Sequence, residues 1–175
     1  MILLEDLQYI CPNSKTGRLA VVVEPLNAAM QEFCIDSPRR EAAFIAQVAH
    51  ESGGFNYVRE LASGEAYEGR VDLGNTQAGD GQRYRGRGFI QITGRANYQA
   101  VSDALGTDFV GNPELLEEVD SAARSAAWFW DSRRLNELAD KGDFRAITKR
   151  INGGYNGLAD RTEYWNRAKE QLGVP

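Results

Sequence analysis

The side chains that could perform acid–base chemistry in this chain are mainly carboxylates. Its 175 residues include 25 Asp and Glu but a single histidine, His50. One histidine cannot build a multi-histidine metal site, and a Ser-His-Asp or Cys-His hydrolase would have to use His50 itself. We therefore expect any acid–base catalysis to depend on Asp or Glu.

Glu51 has the most informative position among these acids. It lies three residues after Val48 and seven after Phe44, so it continues the apolar stripe of a predicted helix. Gly53 and Gly54 follow, which is typical of a helix C-terminus. Partial burial and the negative end of the helix dipole both favour the protonated carboxyl group that a general acid requires. The alternative is a glutamate at the helix rim whose carboxylate reaches water.

His50 and Glu51 also begin the pattern HExxH of zinc proteases. That pattern needs a second histidine four residues after His50, where this chain has Gly54. The zinc interpretation is therefore excluded. We interpret His50 as a helix residue that hydrogen-bonds locally.

Glycoside hydrolysis usually needs a second carboxylate, which activates a water or attacks the sugar. The candidates downstream are Glu60, Glu65 and Glu68, and each could equally be a solvated surface acid. Arg59 directly precedes Glu60 and could hold it in the ionised form.

Two further segments carry polar side chains among glycines. Residues 88–93 could form a short strand, and Gln91 and Thr93 would then share one face. That face could bind a water or a sugar, or it could simply be the solvated side of a buried strand. Asn152 precedes Gly153-Gly154 at a predicted helix end, where its amide could cap the helix, or contact an N-acetyl group or the nucleophilic water.

The elements that must position these residues are mostly helices. Helical spacing covers the chain on both sides of residues 53–94, where glycines cluster and periodicity is weak. Pro25 is predicted to begin one helix, and Asp160 with Glu163 forms a capping box for the last one. The predicted fold is mainly α with little or no β. One domain would span 1–175, with 53–94 as a loop-rich lobe that forms a cleft.

Composition excludes several other classes. The formal net charge of −5 argues against nucleic-acid binding. No apolar run approaches the ~18 residues of a membrane span. The acidic N-terminus lacks a signal-peptide pattern, so we expect synthesis in the cytoplasm. Cys11 and Cys34 are predicted to be free thiols.

Taken together, these segments resemble glycoside hydrolase family 19, the group of plant-type chitinases and lysozyme-like phage endolysins. The resemblance runs from about Leu26 to the last helix. It rests on AHESGGF at 49–55, Arg-Glu at 59–60, YRGRGFIQITGRANY at 84–98, INGGYNG at 151–157 and Asp-Arg at 160–161. The resemblance implies a lysozyme-like helical body. The short spacing of nine residues from Glu51 to Glu60 is more like the endolysins.

The resemblance also implies roles for individual residues. Glu51 would be the general acid. Glu60 would be the general base, and the resemblance thereby singles out Glu60 from Glu65 and Glu68. Thr93 would help to hold the nucleophilic water. The positions expected to line the sugar cleft or support the acids are Gln91, Tyr98, Asn152 and Arg161.

We therefore expect an endolysin that hydrolyses the β-1,4 bond between N-acetylmuramic acid and N-acetylglucosamine in bacterial peptidoglycan. An inverting mechanism would place the two carboxyl groups about 6.5–9.5 Å apart. It needs no metal or organic cofactor. The alternatives are a chitinase on the same site and a non-catalytic cell-wall-binding module.

The expected partner is the glycan strand of peptidoglycan, bound by a monomer without stable membrane insertion. The enzyme would be made in the host cytoplasm and reach the periplasm once another protein permeabilises the membrane. Because peptidoglycan peptides are acidic, the net charge does not attract the enzyme to its substrate. Arg59, Arg87 and Arg161 are the expected local cations.

Overall fold

The computed structural model describes residues 1–175 and is built almost entirely from helices. The α-helices are α1 (Leu4–Ile10), α2 (Thr16–Glu32), α3 (Pro38–Glu51), α4 (Asp80–Arg83), α5 (Arg95–Leu105), α6 (Val119–Ser132), α7 (Leu135–Asp140), α8 (Phe144–Asn152) and α9 (Leu158–Gln171). Three 3-10 helices span Glu65–Tyr67, Val71–Leu73 and Pro113–Glu117. Isolated bridges replace a sheet, joining Arg59 to Arg87 and Arg87 to Ile92. The mainly α prediction with little or no β is confirmed.

Helix α3 is the central helix of the body. Ser37 caps it by accepting a hydrogen bond from the backbone of Arg40 at 3.4 Å, and Pro38 occupies its first position. Nine of its 14 residues are buried, and it packs along α9. Phe44 contacts Trp130 of α6 edge to face, with ring centroids 5.5 Å apart. One continuous core of 37 buried residues results, and it reaches from Ile2 to Ala168.

A sharp turn after α3 leads into residues 53–94. Gly53, Gly54 and Phe55 all have left-handed backbone angles, with φ of 57°, 69° and 67°. A left-handed conformation costs a non-glycine residue roughly 1–2 kcal/mol. Phe55 adopts it because its ring is fully buried against Phe89, with centroids 5.4 Å apart. The Nε of Arg18 also donates to the Phe55 carbonyl at 2.7 Å.

The far end of this segment is held by an ion pair between a partly buried arginine and a buried aspartate. Arg95, the first residue of α5, donates from Nη2 to Asp80 Oδ1 at 2.6 Å and from Nε to Oδ2 at 2.9 Å. These bonds from Arg95 hold the pKa of Asp80 below its ordinary value. The buried amide of Asn75 accepts from the Arg95 backbone and donates to the Tyr67 carbonyl. The segment is therefore irregular but closely held.

Three local predictions are wrong. Pro25 lies inside α2, which tolerates it because Val21, whose carbonyl loses its partner, is on the exposed face. Residues 88–93 form a turn instead of a strand, with Gln91 at φ 56°. Helix α9 begins at Leu158, and Asp160 bonds elsewhere instead of capping it.

The two cysteines are free. Cys34 is exposed, whereas Cys11 is buried, and this burial raises the pKa of its thiol to about 12. None of the helices combines the length and the apolar character needed to cross a membrane.

Candidate active site

Glu51 is the last residue of α3, and its carboxyl group is held by a buried cation. The Nη2 of Arg161, on α9, donates to Glu51 Oε1 at 2.5 Å. The Arg161 side chain is 1% exposed and that of Glu51 is 22% exposed, so one carboxylate oxygen still reaches solvent. Reasoning from the helix stripe missed this cation, which α9 supplies.

Each nitrogen of the Arg161 guanidinium donates a hydrogen bond within the protein. Its Nη1 donates to Gln47 Oε1 at 2.6 Å, and its Nε donates to the carbonyl of Asn156 at 3.2 Å. Gln47 in turn donates to the hydroxyl of Thr148 on α8 at 2.8 Å. One arginine thereby joins α3, α8, α9 and the turn before α9. Arg161 supports the acid and is not a free cation for substrate.

His50 makes a second link between the same two helices. Its Nδ1 lies 2.5 Å from Asp160 Oδ2. Its ring packs so closely on Gly157 that a Cβ there would collide with it. Consecutive residues of α3 therefore pair with consecutive residues of α9. The predicted local hydrogen bond of His50 is wrong, because its partner is 110 positions away.

Glu60 lies on the other side of the turn, bonded to Gly86. Its backbone N–H donates to the Gly86 carbonyl at 3.0 Å, and Gly86 N–H donates to Glu60 Oε2 at 2.7 Å. An added Cβ at Gly86 would lie 2.7 Å from Glu60 Oε2, 2.8 Å from Gln91 Oε1 and 3.3 Å from Thr93 Oγ1. The fold thus gathers three of the predicted site residues around one glycine, which must lack a side chain.

Tyr67 adds a phenol beside this cluster. Desolvation, and then the charge of Glu60, raise the pKa of Tyr67. Glu65 and Glu68 have structural partners instead: Glu65 accepts from Gln82, and Glu68 accepts from the backbone of Gly79 and Gly81.

Gln91 and Thr93 are partly exposed, and each side chain is held by a backbone carbonyl. The Thr93 hydroxyl donates to the Gln91 carbonyl at 2.9 Å, and the Gln91 amide donates to the Gly88 carbonyl at 2.9 Å. Because the hydroxyl hydrogen of Thr93 is already donated to Gln91, Thr93 Oγ1 can take part in a further hydrogen bond only as an acceptor.

Asn97 is a candidate residue that sequence reasoning missed. Its side chain is exposed, donates to the Thr93 carbonyl at 2.7 Å and lines the same cavity as Gln91 and Thr93. Its place one helical turn after Thr93, at the start of α5, is the signal that could have identified it.

Tyr98 was predicted to line the cleft or to support the acids. The structure leaves it only a supporting position inside the protein. Its side chain is 0% exposed, which leaves no surface for a sugar. Its hydroxyl donates to the Arg85 carbonyl at 2.7 Å and accepts from Arg87 Nη1 at 2.9 Å. Burial raises its pKa to about 12. The substrate-binding assignment of Tyr98 is therefore corrected to a role in holding residues 84–87.

Asn152 is the last residue of α8, and its side chain is exposed. Gly153 closes the helix in the left-handed conformation, so Asn152 is not needed as a cap. Its amide makes no hydrogen bond within the protein and joins neither Glu51 nor Glu60.

The arginines expected to attract an acidic substrate are engaged elsewhere. Arg87 is buried and donates to Glu117 Oε1 at 2.8 Å, and Arg59 lies 3.6 Å from Glu117 Oε2. The expectation that Arg59 holds Glu60 ionised is wrong, because its carboxylate partner is Glu117.

Comparison with known proteins identifies the family. The model of glycoside hydrolase family 19, described as chitinase class I, matches residues 34–141. A glycosyl hydrolase family 19 domain-containing protein of Haemophilus influenzae is 31% identical and covers 82% of this chain and 86% of its own length. Endochitinase B of Zea mays is 34% identical, covering 80% of this chain and 52% of its own. The chain spans about half the length of the plant endochitinases it matches.

Solved structures agree with the family model. Chitinase C of Streptomyces griseus superposes with a TM-score of 0.78 at 25% identity, covering 99% of this chain and 77% of that one. A class IV family 19 chitinase of Zea mays gives a TM-score of 0.70 at 28% identity, covering 86% and 79%. The expected lysozyme-like helical fold is confirmed. Since the family model covers more than half of the sequence, including Glu51 and Glu60, the chain belongs to glycoside hydrolase family 19 and is a chitinase-like glycosidase.

Proposed function

We propose that this glycosidase hydrolyses the β-1,4 glycan of bacterial peptidoglycan, as a phage endolysin does, by an inverting mechanism. The observation that supports two different roles is the contrast between the two glutamates; which of them is the acid follows from the resemblance to the family. Glu51 is paired with a buried cation, whereas Glu60 lies among neutral amide and hydroxyl groups. Two carboxyl groups in different surroundings are what an acid and a base on one substrate require.

Glu51 acts as the general acid. Arg161 occupies Oε1, which leaves Oε2 to carry a proton towards the glycosidic oxygen. Once the proton has left, the same guanidinium stabilises the resulting carboxylate. The ion pair therefore favours the product side of the transfer, and its position is fixed in advance by α9.

Glu60 acts as the general base on a water held with Thr93. The hydroxyl hydrogen of Thr93 is committed to the Gln91 carbonyl, so Oγ1 accepts one hydrogen of the water. Glu60 accepts the other hydrogen, and the lone pair of the water then attacks the anomeric carbon from the face opposite the leaving group. Gln91 and Asn97 border this position and can contact the sugar.

A chitinase on the same site is the second candidate. It is supported by the relatives, since endochitinases of beet and maize match about four fifths of this chain. Peptidoglycan is supported by the short connection of nine residues between the glutamates, which resembles the endolysins. A second point in favour of peptidoglycan is that the Haemophilus relative, which is matched over most of its length, comes from a bacterium. In the proposed setting the monomeric enzyme reaches the cell wall after another protein permeabilises the membrane.

Parallel assays on purified sacculi and chitin oligomers test the proposal. General acid and base groups each contribute about 10²–10⁴-fold in rate, so Glu51→Gln and Glu60→Gln should each lower reducing-end release by at least about 100-fold. Glu65→Gln is the matched control and should keep full activity, because the Glu65 carboxylate bonds only to Gln82. Wild-type turnover by Glu51→Gln would remove the acid assignment.

Substrate outcomes separate the alternatives. Release of reducing ends from chitin but not from sacculi would favour the chitinase. Binding to sacculi without any release would favour a cell-wall-binding module. Mass spectrometry of digested sacculi identifies the bond cleaved and the product end.

A further inference from the structure

A small cavity opens beside the proposed water site. It has a volume of about 140 Å³ and includes Gln91, Thr93 and Asn97 in its lining. Its remaining walls are mainly apolar: Leu73, Ile90, Ile92, Trp128 and Phe129. Arg133, directly after α6, supplies its one charged side chain. The volume suits a group of a few non-hydrogen atoms next to the sugar.

Arg133 has no carboxylate partner, in contrast to the three arginines expected to attract the substrate. Arg59 and Arg87 pair with Glu117, and Arg161 pairs with Glu51. The guanidinium of Arg133 lies on the Phe129 ring, with its Cζ 3.4 Å from the ring centroid. Stacking on one face removes water from that face of the cation, and desolvation lowers its pKa.

The internal contacts of Arg133 use only one of its nitrogens. Nη1 donates to the Phe129 carbonyl at 3.4 Å and to the Ser132 hydroxyl at 3.2 Å, which helps to close the end of α6. Nε and Nη2 donate to nothing in the protein. Arg150, whose Nη1 donates to the Arg133 carbonyl at 3.1 Å, brings a second cation without a carboxylate partner.

This arrangement matters for the choice of substrate. Chitin has no anionic group, whereas each N-acetylmuramic acid of peptidoglycan carries a lactyl ether that bears a carboxylate or an acidic peptide. The two free donors of a guanidinium match the two oxygens of a carboxylate, and the apolar walls match a methyl group. A neutral chitin strand would leave Arg133 unpaired.

We propose that the cavity formed by Leu73, Ile90, Trp128 and Arg133 is a specificity pocket that binds the acidic lactyl substituent of N-acetylmuramic acid. The assignment rests on the proposed function and deepens it, because it names the group by which peptidoglycan is distinguished from chitin. Arg133 pairs with the lactyl carboxylate where the sugar carries no peptide. Where the lactyl carboxyl is an amide, Arg133 pairs with a carboxylate of the attached peptide, and in both cases the lactyl methyl contacts the apolar walls.

Binding to an inactive enzyme tests the pocket independently of turnover. In a Glu51→Gln background, Kd is measured for the disaccharide N-acetylglucosaminyl-N-acetylmuramic acid, with and without its peptide, and for chitobiose. We expect a carboxylate-bearing ligand to bind at least 10-fold more tightly than chitobiose. Adding Arg133→Gln should reduce that preference to about 2-fold or less. The 15N–1H signal of Arg133 Nε should shift with the acidic ligands and not with chitobiose.

Arg134→Gln is the matched control, since Arg134 is a neighbouring exposed arginine that pairs with Glu137. It should leave the preference unchanged. If Arg133→Gln weakens α6, Arg133→Lys keeps the charge without the two-donor geometry and should show an intermediate preference. An unchanged preference in both Arg133 variants would overturn the pocket.

The outcomes separate this inference from the proposed function. Hydrolysis of sacculi by the wild type with an unchanged ligand preference in Arg133→Gln would leave the function and remove the pocket. A preference that depends on Arg133, with no hydrolysis of sacculi, would leave the pocket and remove the function.

Discussion

The ion pair between Glu51 and Arg161 makes a quantitative prediction about stability. Arg161→Met would leave Glu51 without its cation and the oxygens of Gln47 and Asn156 without their donor. Removing one partner of a buried pair costs about 3–5 kcal/mol. Glu51 is 22% exposed and can recover some hydration, so we expect the lower end, about 3 kcal/mol. For a chain of this size, each kcal/mol shifts Tm by about 2–4 °C, which predicts a decrease of about 6–12 °C.

A double-mutant cycle isolates the part of this cost that belongs to the pair. Glu51→Gln keeps an acceptor for Arg161 while removing the charge, so it should cost less than Arg161→Met. With both changes, no unpaired carboxylate remains near the core. The loss in the double variant should therefore be smaller than the sum of the single losses by about 1 kcal/mol or more. Urea denaturation and thermal unfolding measure all four proteins.

Arg167→Met provides the control on the same helix. Arg167 and Glu163 form a pair 3.6 Å apart whose side chains are 37% and 68% exposed. Exposed pairs contribute at most about 1 kcal/mol, so this variant should unfold close to the wild type. The reasoning would be refuted if Arg161→Met cost less than about 1 kcal/mol, or if its effect and that of Glu51→Gln added within about 0.5 kcal/mol.

Three other changes test the lobe that carries Glu60. Gly86→Ala puts a Cβ 2.7 Å from Glu60 Oε2. Turnover should therefore fall at least 10-fold, while the circular dichroism spectrum stays that of a helical protein. An unchanged kcat would contradict the grouping of Glu60, Gln91 and Thr93 around Gly86. Because Arg95 lowers the folded-state pKa of Asp80, its charge stabilises the fold above the ordinary value of 3.8. The stability lost in Asp80→Asn should be largest near neutral pH and shrink as pH falls through the folded pKa; a constant loss in urea titrations would refute this. Tyr98→Phe should cost about 1–2 kcal/mol of unfolding free energy and leave KM unchanged, whereas a raised KM would restore its substrate-binding role.

The sequence predicted well where the signal is local. Helix α3 follows from the apolar stripe and the two terminal glycines, and Glu51 is at its end as expected. The pattern Asp160 to Glu163 is equally local and was misleading, because the His50 ring competes for the Asp160 carboxylate. A capping pattern therefore predicts only the local contacts of one helix end, and a side chain from a distant part of the sequence can take the capping residue as its partner.

The partners of the site residues could not be predicted from spacing. Arg161 is 110 positions from Glu51, and only the resemblance to the family placed it near the acids. Phe55 and Gln91 are left-handed although neither is glycine. Tertiary packing imposes that conformation on Phe55, so intrinsic preference gives no warning of it.

The two glutamates belong to parts of the fold that are held in different ways. Glu51 is fixed by Arg161, between α3 and α9, whereas Glu60 is fixed by Gly86 within residues 53–94. The chain between them turns through three consecutive left-handed residues, which leave little freedom for the path. An inverting hydrolase must keep enough space between its carboxyl groups for a water and a sugar. The packing of Phe55 on Phe89 and the Asp80–Arg95 pair both hold the segment that carries Glu60 against the helical body.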